Sequence, residues 1–455
     1  MKSILLAAAA LAGATLASAK TSLPSGWFAI PPSSKIQHSD FHGKPRYLTW
    51  MADSQIKHGV EPTFAYTVSA YLSGVLLAYT RTGDPKYASY ITRHADLVLY
   101  PARDGSILLY NDSNSIDDIR FGHTFLDAHS LAAAAAASSN TSNSNSSSSS
   151  SSSISSNSSS IYLTAARTLR AQIDRTRRTP AGGFYHRYPT YPDQMWLDGI
   201  YMLDVFYARW THALDPRNAT AWADIALQFD LINAGTITAA DPNGTTKRGL
   251  PVHGFDYSRR AVWADPVTGA APHVWGRAAG WYLMALVDVL DYFPEGEADG
   301  GGGGRARLLG YLRALADAVV AARDPVYGGW WNVMDPGMEG REGNYVESSA
   351  SGMFVYGLLK ALRMGYVEGE EYREAALGGY GLMTETFAEE RGGDGALDYL
   401  WTVQTGSLSS NGTFEYYASM PLFENDLKGV APFLFASYEY ELYIEGKEGV
   451  QQETI

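Results

Sequence analysis

The chain has 455 residues, a formal net charge of −13 and no cysteine. The lack of cysteine excludes disulfides, thiolate metal sites and cysteine nucleophiles, and the negative charge argues against nucleic acid as a partner. Charged residues are 18% of the chain and aromatic residues 13%. The low charge predicts a large core. The aromatic excess is common in secreted carbohydrate-active proteins, although aromatics also dominate ordinary cores.

The first 19 residues have the pattern of a secretory signal peptide. Lys2 is the basic region, Ile4 to Leu16 is the apolar region, and residues 17–19 are the small-residue cleavage site. We therefore expect a secreted, extracellular protein whose residues 20–455 form one catalytic domain. No later apolar run is long enough to span a membrane, so no membrane association is expected. Seven Asn-X-Ser/Thr triplets predict a glycoprotein: Asn111, Asn140, Asn145, Asn157, Asn218, Asn243 and Asn411.

Apolar residues at three- and four-residue spacing predict a series of helices. They are Tyr66 to Tyr79, Ile161 to Arg177, Gln194 to Trp210, Trp281 to Phe293, Leu308 to Ala322, Ala350 to Arg363 and Val430 to Tyr443. Alternating Val, Ile and Thr is scarce, so extended sheet is not expected. Residues 138–160 are almost pure Ser and Asn. Such a tract buries too little apolar surface to fold, so we predict a disordered surface insertion there.

Helices that are apolar all round alternate with helices that have a polar face. Residues 194–210 and 281–293 belong to the first kind, and residues 308–322 belong to the second. All-round apolar helices are buried, whereas striped helices face water. The alternation predicts an all-α fold built as a double ring of six helical hairpins. The connecting loops of one mouth are where a site is expected.

One carboxylate, Asp198, lies within the apolar helix predicted at 194–210, with no basic residue in the adjacent turns. Burial raises the pKa of a carboxylate, and an acid of raised pKa can hold a proton near neutral pH and deliver it. The alternative is an Asp whose oxygens accept hydrogen bonds from backbone amides. This segment alone leaves both interpretations open.

Two further acidic candidates, Asp117 and Asp118, are adjacent, so at most one of them faces a given cleft. An ordinary acidic loop is the alternative. His253 and His186 lie in loops with Gly and aromatic residues. Either His serves a site or it packs beneath an aromatic ring.

Two Trp residues and an Arg stand together at the predicted entry to a buried helix: Trp275, Arg277 and Trp281. Arg binds carboxylates and aromatic faces stack on sugars. A purely structural helix entry is the alternative. Zinc-protease, phosphate-loop, dinucleotide and serine-hydrolase motifs are missing, which leaves acidic catalysis on a carbohydrate.

Several segments resemble, in order, the motifs of glycoside hydrolase family 105, the unsaturated rhamnogalacturonyl hydrolases, which are related to the unsaturated glucuronyl hydrolases. Asp193 to Met202 resembles the central motif, and the resemblance covers residues 45–440. The other matching segments are Trp50 to Ser54, Phe64 to Tyr66, Ile116 to Gly122, His253 to Asp256, Trp275 to Trp281, Asn344 to Ala350 and Phe423 to Gly429. Ala278 and Ala279 replace the family's usual Gly-Asn.

The resemblance implies an (α/α)6 barrel and a specific reaction. The family removes the 4,5-unsaturated uronic acid from the non-reducing end of lyase-generated pectin oligosaccharides by hydrating the vinyl ether double bond. By resemblance, Asp198 is the catalytic acid/base, and Asp117 is the second catalytic Asp of the family, expected to help orient the substrate or Asp198. The residues expected to bind substrate are His253, Arg277, Trp275, Trp281, Tyr66 and His186. No metal or cofactor is expected. A polysaccharide lyase on a similar toroid and a non-catalytic glycan-binding protein are the alternatives.

Overall fold

A computed structural model describes residues 34–99, 104–108, 110, 115–142, 151–238, 247–295 and 303–452. The signal peptide predicted at residues 1–19 lies outside the described residues. Among the described helices, none combines the length and apolar character needed to cross a membrane.

Helices dominate the described chain. In chain order they are α1 Tyr47–His58, α2 Tyr66–Thr82, α3 Pro85–Leu99, α4 Gly122–Ser142, α5 Ser151–Arg175, α6 Leu197–Gly199, α7 Val205–Leu214, α8 Ala219–Asn233, α9 Gly276–Val289, α10 Gly304–Ala321, α11 Ser348–Arg363, α12 Glu370–Leu382, α13 Phe414–Ala418 and α14 Leu427–Gln452. A 3-10 helix, Ile116–Phe121, leads into α4. Single π-helical segments are Ile200–Asp204 between α6 and α7, Ala234–Thr238 after α8 and Met383–Phe387 after α12.

Short strands in the segments between helices pair into antiparallel two-stranded ladders. The pairs are β1 Asp40–Phe41 with β2 Lys44–Pro45, β3 Gln194–Trp196 with β4 Gly254–Asp256, β5 Ala388–Glu390 with β6 Leu397–Tyr399, and β7 Thr402–Val403 with β8 Leu422–Phe423.

Six inner segments form a closed ring within the described residues. In order, each contacting the next, they are α2, the 3-10 helix with α4, the continuous run from α6 to α7, α9, α11 and α14, and α14 returns to contact α2. Helices α9 and α11 are buried on nearly every side. The outer partners are α3, α5, α8, α10, α12 and α1, the last of which packs on α14. The predicted (α/α)6 barrel is confirmed, because the helices that are apolar all round form the inner ring.

The helix predicted to begin at Gln194 begins at Leu197 instead. Residues 194–196 are extended because they pair with residues 254–256, a contact that local periodicity does not encode. The helix then runs through the π segment to Leu214. Asp198 therefore lies in the first helical turn, and the prediction that it lies deep within the helix is wrong.

The tract predicted to be disordered at 138–160 is helical where the structure describes it. Helix α4 continues to Ser142 and α5 begins at Ser151, and the two helices pack on each other. Extending an existing helix needs much less free energy than nucleating one, so the packed portions propagate into polar sequence. Residues 143–150 lie outside the described part.

Candidate active site

Residues from the N-terminal ends of all six inner segments lie together at one mouth of the barrel. The Tyr66 hydroxyl is within electrostatic range of Asp117, Asp198, Arg277 and Asp426. Glu347, just before α11, pairs with Arg277. The positive ends of helix dipoles therefore converge on this mouth, which favours anionic groups there.

The β3–β4 ladder brings His253 to Asp198. Trp196 pairs with Gly254, and the backbone amide of Leu197 donates to the carbonyl of His253 at 3.0 Å. As a result, Nε2 of His253 lies 3.2 Å from Oδ2 of Asp198. The two atoms are close enough for a hydrogen bond, yet neither has an aligned partner among the described residues. Such contacts often tighten only when substrate binds.

The Asp198 carboxylate is in contact with solvent and keeps its negative charge. Its side chain is 17% exposed, whereas that of His253 is fully buried. Burial raises the pKa of Asp198, but the imidazoles of His253 and, after it, His186 lower the pKa by more, so the net pKa is below the ordinary value. The raised pKa predicted from the sequence is wrong for the protein without substrate. The prediction counted the apolar helix and did not include histidines that only the fold brings near.

The second carboxylate, Asp117, lies on the 3-10 helix, at the same mouth as Asp198. Nη2 of Arg187 donates to Oδ2 of Asp117 at 2.6 Å, and Nε2 of His186 lies 3.8 Å from Oδ1. Burial lowers the pKa of His186, which is therefore neutral near pH 7. The ring of Trp196 stacks on His186 with centroids 4.2 Å apart, so the carboxylates and histidines form one packed group.

Gly199 allows the two segments that carry the carboxylates to approach each other. A Cβ at this position would lie 2.5 Å from the Ile116 side chain and 3.2 Å from Nδ1 of His186. The first distance is too short for any real side chain. Gly199 thus permits this packing without displacing the terminal methyl of Ile116.

Arg277, predicted to bind substrate, is fully engaged within the protein. It is 1% exposed, and its guanidinium donates to Oγ of Ser349 at 2.8 Å, to the carbonyl of Gln404 at 3.0 Å, and to the carbonyl of Val403. Its Nη2 also lies 3.4 Å from Oε1 of the fully buried Glu347. The structure therefore places Arg277 where it holds the loop at 403–404, and a contact with substrate stays a prediction.

The aromatic candidates differ in exposure. Trp275 and Trp281 are each 1% exposed, whereas Tyr66 is half-buried at the mouth. Trp281 stacks on Tyr201 at 4.7 Å, and Trp275 contacts His253 at 4.8 Å. In this structure, both Trp rings pack against other aromatic rings of the site. Stacking of either ring on a sugar stays a prediction.

Three residues of the site were assigned no role from the sequence. Glu347 and Lys428 lie in segments that resemble late family motifs, and that resemblance was their only signal. Tyr417 carries no sequence signal, yet its hydroxyl lies 2.7 Å from Nδ1 of His253, 164 positions away along the chain. Trp401, beside the loop held by Arg277, is 44% exposed.

The chemistry available is that of carboxylates, histidines and two cations. No group of three or more His, Cys, Asp or Glu side chains that could hold a metal ion is found among the described residues. Asp256 is used by its own loop, since its carboxylate accepts hydrogen bonds from the amides of Ser258, Arg260 and Ala261. Of the two carboxylates near His253, Asp256 is therefore committed to its own loop, whereas Asp198 remains available to a ligand.

Comparison with known proteins places the chain in a family. A family model described as Glycosyl Hydrolase Family 88 matches residues 46–444. A family 105 glycoside hydrolase from C. acetobutylicum ATCC 824 has a similar structure, with a TM-score of 0.75 and 31% identity over 87% of this chain and 99% of that chain. Protein Atu3128 of Agrobacterium fabrum is 38% identical over 199 residues, which cover 42% of this chain and 82% of that protein.

A more distant structure shares the fold. It is the unsaturated glucuronyl hydrolase of Bacillus sp. GL1, with a TM-score of 0.54 and 15% identity over 87% of this chain and 95% of that chain. The resemblance inferred from the motifs is confirmed by these matches. The chain belongs to glycosyl hydrolase family 88 and is a glycoside hydrolase of the family 88 and family 105 group.

Proposed function

We propose that this enzyme removes the 4,5-unsaturated uronic acid from the non-reducing end of lyase-generated rhamnogalacturonan oligosaccharides, with Asp198 as the proton donor. One observation carries the proposal: Asp198 lies at the mouth beside His253, and its side chain is 17% exposed and so can meet a ligand. Family membership supports an unsaturated uronide as the substrate class. Similarity to a family 105 enzyme at 31% identity supports the pectin-derived substrate.

The proposed reaction is the addition of one water molecule. Asp198 gives its proton to C4, which forms the C4–H bond and leaves positive charge shared by C5 and the ring oxygen. Water adds to C5 and returns a proton to the Asp198 carboxylate. The hemiketal then opens to a ketone at C5, and the hemiacetal at C1 releases the aglycone sugar as its free alcohol. One acid/base group is enough for this sequence, unlike the carboxylate pair of ordinary glycosidases.

The low pKa of Asp198 is compatible with this role because binding changes the surroundings of the carboxylate. An anionic uronate adds negative charge and excludes water, and both effects raise the pKa of a neighbouring carboxyl group. Asp198 therefore acquires its proton in the complex, where the double bond is also present.

We also propose that Lys428 supplies the positive charge that the uronate carboxylate meets. Since Arg277 is saturated by protein groups, a second cation is needed. Lys428 lies in the first turn of α14, its side chain is 10% exposed, and its ammonium donates to Asp426 at 2.7 Å. Burial, followed by the nearby charge of Arg277, lowers the pKa of Lys428, and an anion bound beside the ammonium would favour its charged form.

The test uses the purified full-length protein and unsaturated oligosaccharides prepared with a rhamnogalacturonan lyase. We expect the ultraviolet absorbance of the conjugated double bond to fall, with release of a shortened saturated oligosaccharide. A matched set with unsaturated glucuronyl ends compares the two uronides. New absorbance from intact polysaccharide would instead identify a lyase. Binding without any change in absorbance would identify a glycan-binding protein.

Secretion is a separate proposal, supported by the signal-peptide pattern of residues 1–19. We expect the protein in the culture medium of a eukaryotic expression host, with an N-terminus near Lys20. N-terminal sequencing measures this, and intracellular retention of the full chain would contradict it.

A further inference from the structure

We propose that Tyr417 is a positioning residue for the Asp198 acid: its hydroxyl donates to Nδ1 of His253 and thereby selects the tautomer whose Nε2–H faces Asp198. The inference rests on the proposed function of Asp198 as proton donor. It concerns a residue on the short helix α13, far from Asp198 along the chain.

The contacts form a continuous line through buried groups. The Tyr417 hydroxyl lies 2.7 Å from Nδ1 of His253, and Nε2 of the same ring lies 3.2 Å from Oδ2 of Asp198. Tyr417 and His253 are 1% and 0% exposed. The ring of Trp275 packs on both, with centroids 5.8 Å and 4.8 Å away. The imidazole therefore lies between two polar groups and is itself shielded from bulk water.

The direction of the first hydrogen bond follows from chemistry. Burial, followed by the charges of Tyr416, Asp198 and Asp335, raises the pKa of the Tyr417 hydroxyl well above its ordinary value, so the phenol keeps its proton. Among the described residues, Nδ1 of His253 is the one hydrogen-bond partner of this hydroxyl. If Nδ1 donated instead, the buried O–H would be left without an acceptor, which costs free energy, so the phenol donates and Nδ1 accepts. A neutral imidazole that accepts at Nδ1 carries its own proton on Nε2.

The tautomer decides which oxygen of Asp198 carries the catalytic proton. With hydrogen on Nε2, that N–H faces Oδ2 at 3.2 Å and donates to it when the contact tightens in the complex, so the proton of the neutral acid lies on Oδ1. With the opposite tautomer, Nε2 would be an acceptor. It would attract the acid proton to Oδ2 and hold it against the histidine, away from the sugar. Tyr417 thus keeps the proton of Asp198 on the oxygen that is free to reach C4.

Further hydrogen bonds hold the backbone of Tyr417 in place. Nδ2 of Asn332 donates to the backbone carbonyl of Tyr417 at 3.1 Å, and Nε1 of Trp275 donates to Oδ1 of Asn332 at 3.0 Å. A residue so constrained cannot follow a rotating imidazole. The arrangement is suited to keeping the ring in one orientation.

The experiment compares Tyr417→Phe with Tyr416→Phe in the full-length protein. Tyr416 is the adjacent residue on α13, and its hydroxyl accepts from the amide of Ser407 at 2.9 Å. Each change removes one hydroxyl from the same helix. We expect Tyr417→Phe to lower kcat by about 10- to 100-fold with KM nearly unchanged, as for other residues that orient a reacting group. Tyr416→Phe should keep wild-type kcat and KM.

The tautomer itself is read by nitrogen NMR of the protein labelled with ¹⁵N-histidine. In the wild type, we expect Nε2 of His253 to carry the proton; in Tyr417→Phe, a mixture of tautomers. A proton on Nδ1 in the wild type would overturn the inference, as would full kcat in Tyr417→Phe or an equal loss in both variants. If Tyr417→Phe does not fold, the wild-type spectrum alone decides. A wild type that is inactive on every unsaturated uronide contradicts the proposed function instead, and the spectrum still reports the tautomer.

Discussion

Two pairs of polar side chains lie at the mouth of the barrel, Arg277–Glu347 and Asp198–His253, and they differ in how completely their hydrogen bonds are satisfied. In the Arg277–Glu347 pair, both side chains are saturated: Glu347 accepts from the amides of Ala350 and Val403, and Arg277 donates to two carbonyls and to Ser349. In the Asp198–His253 pair, the facing atoms have no aligned partner among the described residues.

The difference separates a structural role from a chemical one. A polar network with every group satisfied holds the backbone in one arrangement. An unsatisfied polar atom in a folded protein needs a reason, and a ligand that completes it is one such reason. One pair of a basic side chain and a carboxylate therefore positions the loop at 403–404, and the other is the pair that we propose meets substrate.

The largest expected effect comes from removing the acid of the open pair. Asp198→Asn keeps the shape of the side chain but cannot donate a carboxylic proton, so we expect kcat to fall by about 10²- to 10⁴-fold. Thermal unfolding should be nearly unchanged. Kinetics on unsaturated oligosaccharides with parallel calorimetry measure both. Wild-type activity in this variant would remove Asp198 from its assigned role.

The saturated pair should respond in the opposite way. Glu347→Gln leaves the buried Arg277 charge without a counter-ion, so we expect the free energy of unfolding to fall by about 3–5 kcal/mol. Glu415→Gln is the control, because Glu415 and its partner Arg341 are exposed and such pairs contribute about 0–1 kcal/mol. Urea denaturation compares them. Equal effects from the two variants would contradict the distinction drawn between the pairs.

Asp204 tests whether an unsatisfied oxygen always marks a substrate site. It is 1% exposed, its Oδ1 has no partner among the described residues, and it lines a small cavity with Trp196 and Gln228. Burial, then Asp224, raises its pKa well above the ordinary value, with Arg178 opposing less strongly. We interpret Asp204 as a neutral carboxylic acid in the core, which no substrate reaches.

The pH dependence of stability follows from the sign of that shift. A pKa raised in the folded state gives stability that is fully present below the unfolded pKa of about 3.9 and is lost as pH rises through the folded pKa. Asp204→Asn cannot ionise. Relative to this variant, wild type should therefore lose stability above about pH 4, by at most about 1.4 kcal/mol per pH unit. Denaturation at several pH values measures the difference, with the exposed Asp174→Asn as control; a constant difference would refute the interpretation.

The smallest expected effect concerns Lys428, the cation that we propose meets the uronate carboxylate. Lys428→Met should raise KM about tenfold, close to 1.4 kcal/mol of binding free energy, with kcat little changed. The control is a substrate whose uronate is methyl-esterified, for which wild type and variant should have similar KM. If the ester shows the same tenfold difference, Lys428 acts on structure and does not recognise the carboxylate.

Much of the fold is readable from the sequence because helices are local. The apolar periodicity of residues 281–293 and 350–363 predicts helices that the structure contains, since a helix is held by bonds four residues apart. Its failure at Gln194 is also informative. Those residues are extended because of a ladder with residues 254–256, and no local pattern reports a partner about 60 positions away.

The candidate site was predictable in part. Asp198 stands out as a carboxylate among apolar residues, and the motifs around His253 and Asp117 supply the remaining family likeness. The charge state of Asp198 was not predictable, because it depends on distances to His253 and His186 that only the closed ring defines. The saturation of Arg277 was missed for the same reason, since its partners come from residues 347–349 and 403–404.

The sequence by itself determined the alternation of buried and striped helices, and with it the barrel and the candidate acid, because apolar periodicity and residue type are local properties. The tertiary structure alone decided which cation is occupied, which carboxylate is charged and which tyrosine contacts His253. Those properties depend on hydrogen bonds and electrostatic fields, which act over a few ångströms between residues far apart in the chain.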